Sequence, residues 1–260
     1  MVQRFLARVV LILFMFSLAT PASAGVVIEQ EFKGPSPGES GRLILYVEPG
    51  RLRMESQTPE GQTIMIFRAD RQVVWMIQPS EKSYHEMSQT EMDRMKAQMD
   101  AMLKNLPPDQ RAMAEQMMKG RTGASKPANI SVKRLGSETV GKYSATKYEV
   151  FSDGQRTTEL WTAPLEQVSV QQAEYDTFLQ FGRFMEKLSQ AMAAAAGSSD
   201  VMTRYAETVE GFPVKAVNYT AAGKPVGEHQ VVRAERQAVG DDKFQVPAGF
   251  RKVQMPGPEP

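Results

Sequence analysis

Between Glu91 and Met118 the run EMDRMKAQMDAMLKNLPPDQRAMAEQMM places seven methionines, in a chain with no Cys and two His. Thioether sulfur is a soft ligand that suits Cu(I), and it is equally an adaptable packing surface. The spacing helps to separate the two. Met92, Met95, Met99, Met102, Leu103 and Leu106 follow at intervals of 3, 4, 3, 1 and 3 residues. On a helix they share one stripe about 100° wide. Leucines within that stripe fit packing better than coordination. Plain core and a deformable lid over an apolar ligand both remain open for it, because Met serves irregular gaps and promiscuous sites alike. A second stripe, Tyr175, Phe178, Phe181, Met185, Leu188 and Met192, has intervals of 3, 3, 4, 3 and 4. The candidate ligand contacts are Met92, Met95, Met99, Met102, Phe178, Phe181 and Met185, with Trp75 and Trp161. Ordinary burial competes with ligand contact for every aromatic among them.

Other chemistry is hard to place. His85 and His229 sit on separate segments, without the ligand spacings of a zinc site. There is no G-x-S-x-G elbow, no P-loop and no G-x-G-x-x-G after a strand. The 30 acidic residues are scattered through polar positions, so no carboxylate pair stands out. No catalytic residue, metal site or cofactor is expected. With 31 basic residues against 30 acidic ones, no strongly basic face is implied and nucleic acid is not an expected partner.

The elements that must carry these side chains can be read from period and punctuation. Residues 1–24, MVQRFLARVVLILFMFSLATPASA, have a positive start, a short apolar run and a small-residue cleavage site, the pattern of a signal peptide. The expectation is an exported, periplasmic chain whose mature part carries no integral membrane segment. From Val26 to Met87 the pattern is of strands: VVIEQEF, RLILYV, RLRMES, TIMIF and VVWMI. The last two are apolar at successive positions and need cover on both faces. Ser88 and Glu91 make a capping box that opens the Met-rich helix, and Pro107-Pro108 ends it. A further helix is expected through Met113, Met117 and Met118 to Gly120. A hairpin turns at Asp153-Gly154, a long helix spans roughly 171–196, and strands return to the end of the chain. One domain, 25–256, with a helical insertion at 88–119 and a disordered tail at 257–260, is the predicted organisation. The fold class is α+β: a curved antiparallel sheet forming a half-barrel, with two helical segments packed on its concave face.

GRLILYVEPGRLRMES, IMIFRADRQVVWMIQPSEKSYHEM, GSETVGKYSATKYEVFSDGQRTTELWTAP and FQVPAGFRKVQMP resemble an uncharacterised family of exported bacterial proteins known only as a domain of unknown function. A Cys often stands in that family where Ala145 stands here, so no thiol role carries over. The order of elements is also similar to that of the LolA/LolB lipoprotein carriers, which hold acyl chains between an open barrel and its helices. That resemblance implies a LolA-like half-barrel with a hydrophobic ligand.

The expected function is therefore non-enzymatic binding of an acyl chain, a lipid, or a lipidated or apolar peptide, between the sheet and the Met-rich helical lid. An envelope interaction or sensor protein with a fully packed core is the alternative, its partner an envelope protein or lipoprotein. Copper handling by methionine ranks below both.

Overall fold

The computed structural model describes residues 24–107, 109–111, 129–192 and 209–254. Residues 1–23 of the proposed signal peptide, the helix expected through Met113 to Gly120 and the tail at 257–260 lie outside the described residues.

The first half is a run of strands: β1 (Ala24–Lys33), β2 (Gly41–Glu48), β3 (Arg51–Thr58), β4 (Gly61–Arg68), β5 (Val73–Gln78) and β6 (Ser83–Ser88). Helix α1 (Gln89–Asn105) follows, then β7 (Ile130–Val140), β8 (Tyr143–Ser152) and β9 (Gln155–Ala163). Helix α2 (Gln172–Met192), β10 (Phe212–Tyr219), β11 (Pro225–Ala238) and a two-residue β12 (Arg251–Lys252) complete it. All twelve strands form one curved, unclosed sheet, in the order β12-β6-β5-β4-β3-β2-β1-β11-β10-β9-β8-β7. Every pairing is antiparallel except β12 on β6.

Local signals act as the sequence predicts. Asp153 and Gly154 both have positive φ (50° and 80°), the backbone of a tight hairpin whose twist matches its strands. At the start of α1 the Ser88 hydroxyl accepts the Glu91 backbone N–H at 3.3 Å, which satisfies one of the first-turn donors. The Glu91 carboxylate pairs with Arg94 and Lys252.

Cover on both faces of β4 and β5 is also observed, because alternate side chains enter different cores. Phe67 and Val74 join the main cluster beneath the helices. Ile64, Ile66, Val73, Trp75 and Ile77 pack on the other face with Val239 and Phe244. That second cover corrects one expectation. The tail DDKFQVPAGFRKVQM is not a further strand of a meander. Asp241–Phe244 is a 3-10 turn, Val246 and Phe250 pack with it on the convex face, and only Arg251–Lys252 pairs, in parallel with Ser83–Tyr84. Pro247 lacks a ladder donor and Gly249 has φ +80°, so this stretch fills a groove better than it extends a sheet.

β12 is held by charge. Lys252 Nζ lies 2.8 Å from Glu86 Oε1 and 3.0 Å from Glu91 Oε1, and the Trp75 indole donates to Glu86 Oε2 at 3.1 Å. The Lys252 ammonium, opposed by burial and helped by the indole, holds the Glu86 carboxyl below its ordinary value of 4.5. A carboxyl depressed on folding stabilises the fold above its unfolded value, and that contribution is lost as pH falls through the folded one. Acidification from pH 7 to below 4.5 should therefore lower the melting temperature, and Glu86→Gln should flatten part of that dependence. Identical pH profiles for the variant and the parent would show that this clamp carries none of it.

Candidate functional site

On the concave face the register builds a series of cross-strand rows. The first is Val26, Val47, Leu52, Phe67, Val74 and Met87, each directly opposite the next. All six are buried. Helix α2 seats on this row: the Phe67 ring lies 5.5 Å from that of Phe181 and 5.6 Å from that of Phe184. Two residues further along each strand, about 6.6 Å away, runs a second row: Ile28, Leu45, Met54, Met65, Met76 and His85. Ile28 and Leu45 are buried, whereas Met54, Met65, Met76 and His85 are only half-buried. Ser56 and Thr63 continue the next row, which is polar on β3 and β4, with Leu43 beside Ser56 on β2. The face thus grades from a closed core, through a strip of thioethers, to water.

The same gradation appears on α2. Phe184 and Leu188 are buried, while Tyr175, Phe178, Phe181 and Met185 pack against the core and stay half-buried. The helix is fixed at its start. The buried Glu174 carboxylate accepts the Gln171 backbone N–H at 2.8 Å and the Arg236 guanidinium at 2.9 Å. One turn on, buried Thr177 Oγ1 accepts the Gly50 N–H at 2.8 Å and lies 3.1 Å from the Glu48 carbonyl oxygen. These bonds tie α2 to the β2–β3 turn, so its aromatic stripe is held at a set height above the sheet. Space directly beneath it is occupied by Phe67, Phe184 and Leu188. The half-buried Met54, Met65 and Met76 pack against the edge of the same core.

The structure separates the residues that periodicity selects. Met92 is buried in the main core. Met95, Met99 and Met102 are on α1, and their side chains lie outside the described residues. Phe178 meets Phe212 edge to face at 5.3 Å, the Phe181 ring is tilted against that of Phe67, and Met185 is half-buried on the same core. Trp75 is on the opposite, convex face, under the tail, with the Arg71 guanidinium 5.8 Å from its ring. It does not share a surface with α2. Alternation explains this, since its neighbour Val74 is the residue that points to the helix. Trp161 is buried, its indole donates to Glu138 at 2.9 Å, and Lys147 and Lys215 lie 4.6 and 5.3 Å from its ring. Two open depressions also occur, one of about 510 Å³ at the strand ends around Phe32, Gly41 and Thr58, and one of about 220 Å³ beside Trp161.

Met65 and Met76 are not reached from periodicity, and Met54 only as an alternate position of the strand RLRMES. Each sits alone in its strand and shows its meaning only through pairing. A signal does exist: the turns at Pro59-Glu60 and around Ala69–Arg71 bring these residues level across their hairpins.

No group of three or more His, Cys, Asp and Glu able to hold a metal occurs among the described residues. No helix among them is long and apolar enough to cross a membrane.

Comparison with solved structures finds matches at low identity. An uncharacterized conserved protein from Thermus thermophilus matches with a TM-score of 0.47 and 10% identity, over 90% of this chain and 92% of that one. MucB matches with a TM-score of 0.38 and 11% identity over 87% of this chain. The chain spans 58% of the length of that MucB structure. A LolA superfamily protein, NE2245 from Nitrosomonas europaea, matches with a TM-score of 0.27 and 9% identity, over 86% and 91% of the two chains. No curated protein matches the sequence. The family model described as a domain of unknown function, DUF4412, matches residues 95–250, more than half of the sequence, and the chain belongs to that family.

Proposed function

We propose that this protein is a non-catalytic, exported binding protein of the bacterial periplasm, and that its ligand is an acyl chain, a lipid, or a lipidated or apolar peptide. One observation carries the reading: a half-buried methionine row and the half-buried aromatic stripe of α2 border the same core on the concave face of an open sheet. Apolar side chains left partly in water next to a closed core gain from a ligand that covers them. At about 25 cal/mol per Å², covering some 200 Å² contributes roughly 5 kcal/mol without any catalytic group. Methionine suits such a surface because its unbranched chain adapts to ligands of differing shape. In this reading Phe178, Phe181 and Met185 form one wall, and Met54, Met65 and Met76 form the floor. Helix α1 with Met92, Met95, Met99 and Met102 is the lid. The signal-peptide pattern of residues 1–24 supports the location.

The test is binding of a fluorescent fatty acid to the purified chain. Met54→Gln with Met65→Gln should weaken binding by at least about tenfold, the equivalent of 1.4 kcal/mol, with secretion unchanged. Binding equal to the parent, or no binding by the parent, rejects the reading.

The packed space beneath α2, occupied by Phe67, Phe184 and Leu188, favours a second reading, an envelope interaction or sensor protein that acts through its outer surface with an envelope protein or lipoprotein. On that reading the same double substitution lowers only the melting temperature.

A further inference from the structure

We infer that the row Met54–Met65–Met76–His85 is a binding site for a soft monovalent cation, of the class of Cu(I) and Ag(I). Register places Met54 opposite Met65, Met65 opposite Met76, and Met76 opposite His85. Directly opposed residues on one face of an antiparallel pair have Cβ atoms about 4.5–5.5 Å apart, and strands are spaced about 4.8 Å. A methionine sulfur is carried two carbons beyond Cα on a freely turning arm, so Met65 and His85 can each lean over Met76. The inward curve of the concave face brings the side chains of neighbouring strands closer together at their tips than at their backbones. The donor set is then two thioethers and one imidazole, with Met54 as the next sulfur along the row.

Three further features favour an ion here over simple packing. First, all three methionines and His85 are half-buried, in strands whose neighbouring rows are either closed core or polar. The sulfurs are therefore within reach of solvent without lying loose in it. Second, the Nδ1 atom of His85 is buried and has no hydrogen-bond partner among the described residues. A buried ring nitrogen without a partner is uncommon, and an ion lying over Met76 would supply one. Third, the donors are all neutral. Glu86, the carboxylate next in sequence, points to the other face, where it bonds to Trp75 and Lys252. Neutral soft donors offset little of the charge of a divalent ion, whereas thioethers suit Cu(I). Zinc is served by thiolate, imidazole or carboxylate, and this row holds a single imidazole and no charged donor.

The inference does not depend on the apolar-ligand reading, because His85 lies outside the wall and floor proposed for that ligand, so its substitution separates the two. Leu retains the volume and the apolar surface of Met and removes only the sulfur, and this exchange is well tolerated in cores. The experiment is an anaerobic titration with Cu(I) against a chromophoric Cu(I) chelator, repeated with Ag(I) as a redox-inert probe. The proteins are the parent, the variant Met65→Leu with Met76→Leu, His85→Gln, and Met92→Leu as a control on a buried methionine that is not part of the row. Fluorescent fatty-acid binding and the melting temperature are recorded for each. The expected result is a single Cu(I) held by the parent and by the Met92→Leu control. The double Leu variant should lose it by more than the roughly 10–100-fold that follows loss of an outer-shell partner. His85→Gln should weaken it too, with fatty-acid binding retained. Cu(I) binding unchanged in the double Leu variant, or no competition with the chelator by the parent, overturns the inference and leaves the lipid result standing on its own.

Discussion

Replacing Phe67 by Ala should lower the stability of the protein by about 3–5 kcal/mol, the range for truncating a large aromatic in a closed core. Phe67 is only 2% exposed. It lies within the buried row, and its ring meets two rings of α2, those of Phe181 and Phe184. No polar group or backbone strain complicates the change, so the loss is of transferred surface plus the cavity left behind. Urea denaturation with a fixed m-value measures it directly. A loss below about 1 kcal/mol would mean that α2 settles into the gap, as sites that collapse readily do. The same variant bears on function. The parent keeps the space below α2 for its own side chains, and the truncation opens that space next to the methionine row. If an apolar ligand lies along the row, the variant should bind a fluorescent fatty acid more tightly while being less stable. A surface that works only from its outside gains nothing from the opening.

Glu174→Ala should cost about 3 kcal/mol, the lower end for breaking a buried ion pair by removing one partner. The low end applies because Arg236 is still about a third exposed and can be hydrated when it is left alone. Two other losses add to it. The Gln171 N–H loses its acceptor at the start of α2, and a fully buried carboxylate is replaced by a void. Glu174→Gln keeps an acceptor oxygen for that N–H and should cost less. Amide hydrogen exchange gives the mechanism as well as the size: protection should fall in the first turns of α2 while strands β3 to β5 hold theirs. Uniform loss across the sheet would instead show that Glu174 supports the whole fold. The helix is still joined to the β2–β3 turn through Thr177, which is why unfolding of α2 from its N-terminus, and not its release, is the expected response.

The two variants probe the links on which the proposed function rests. Phe67 sets how deep the covered part of the face runs, and Glu174 sets where α2 stands above it. Neither residue is singled out by helical periodicity. Phe67 occupies one of two apolar strands whose neighbours all look alike in sequence, and Glu174 reads as an ordinary polar residue on a helix surface.

What the sequence determined alone is local. The Asp153-Gly154 turn, the Ser88 cap, the aromatic stripe of α2 and the need for two-sided cover on β4 and β5 each depend on residues a few positions apart, where backbone preferences and side-chain period act directly. Class and curvature followed from the order of such elements. The tertiary structure decided which strands meet. β1 pairs with β11 across about 200 residues or more, and the tail crosses to the convex face to cover Trp75, because pairing far along the chain is chosen by the whole set of buried faces and not by any short segment. The methionine row is the sharpest case. Met54, Met65, Met76 and His85 are eleven, eleven and nine residues apart, a spacing with no helical or strand meaning. They become neighbours only when three hairpins fix their registers, since a slip of one residue in any of them would turn its side chains to the other face.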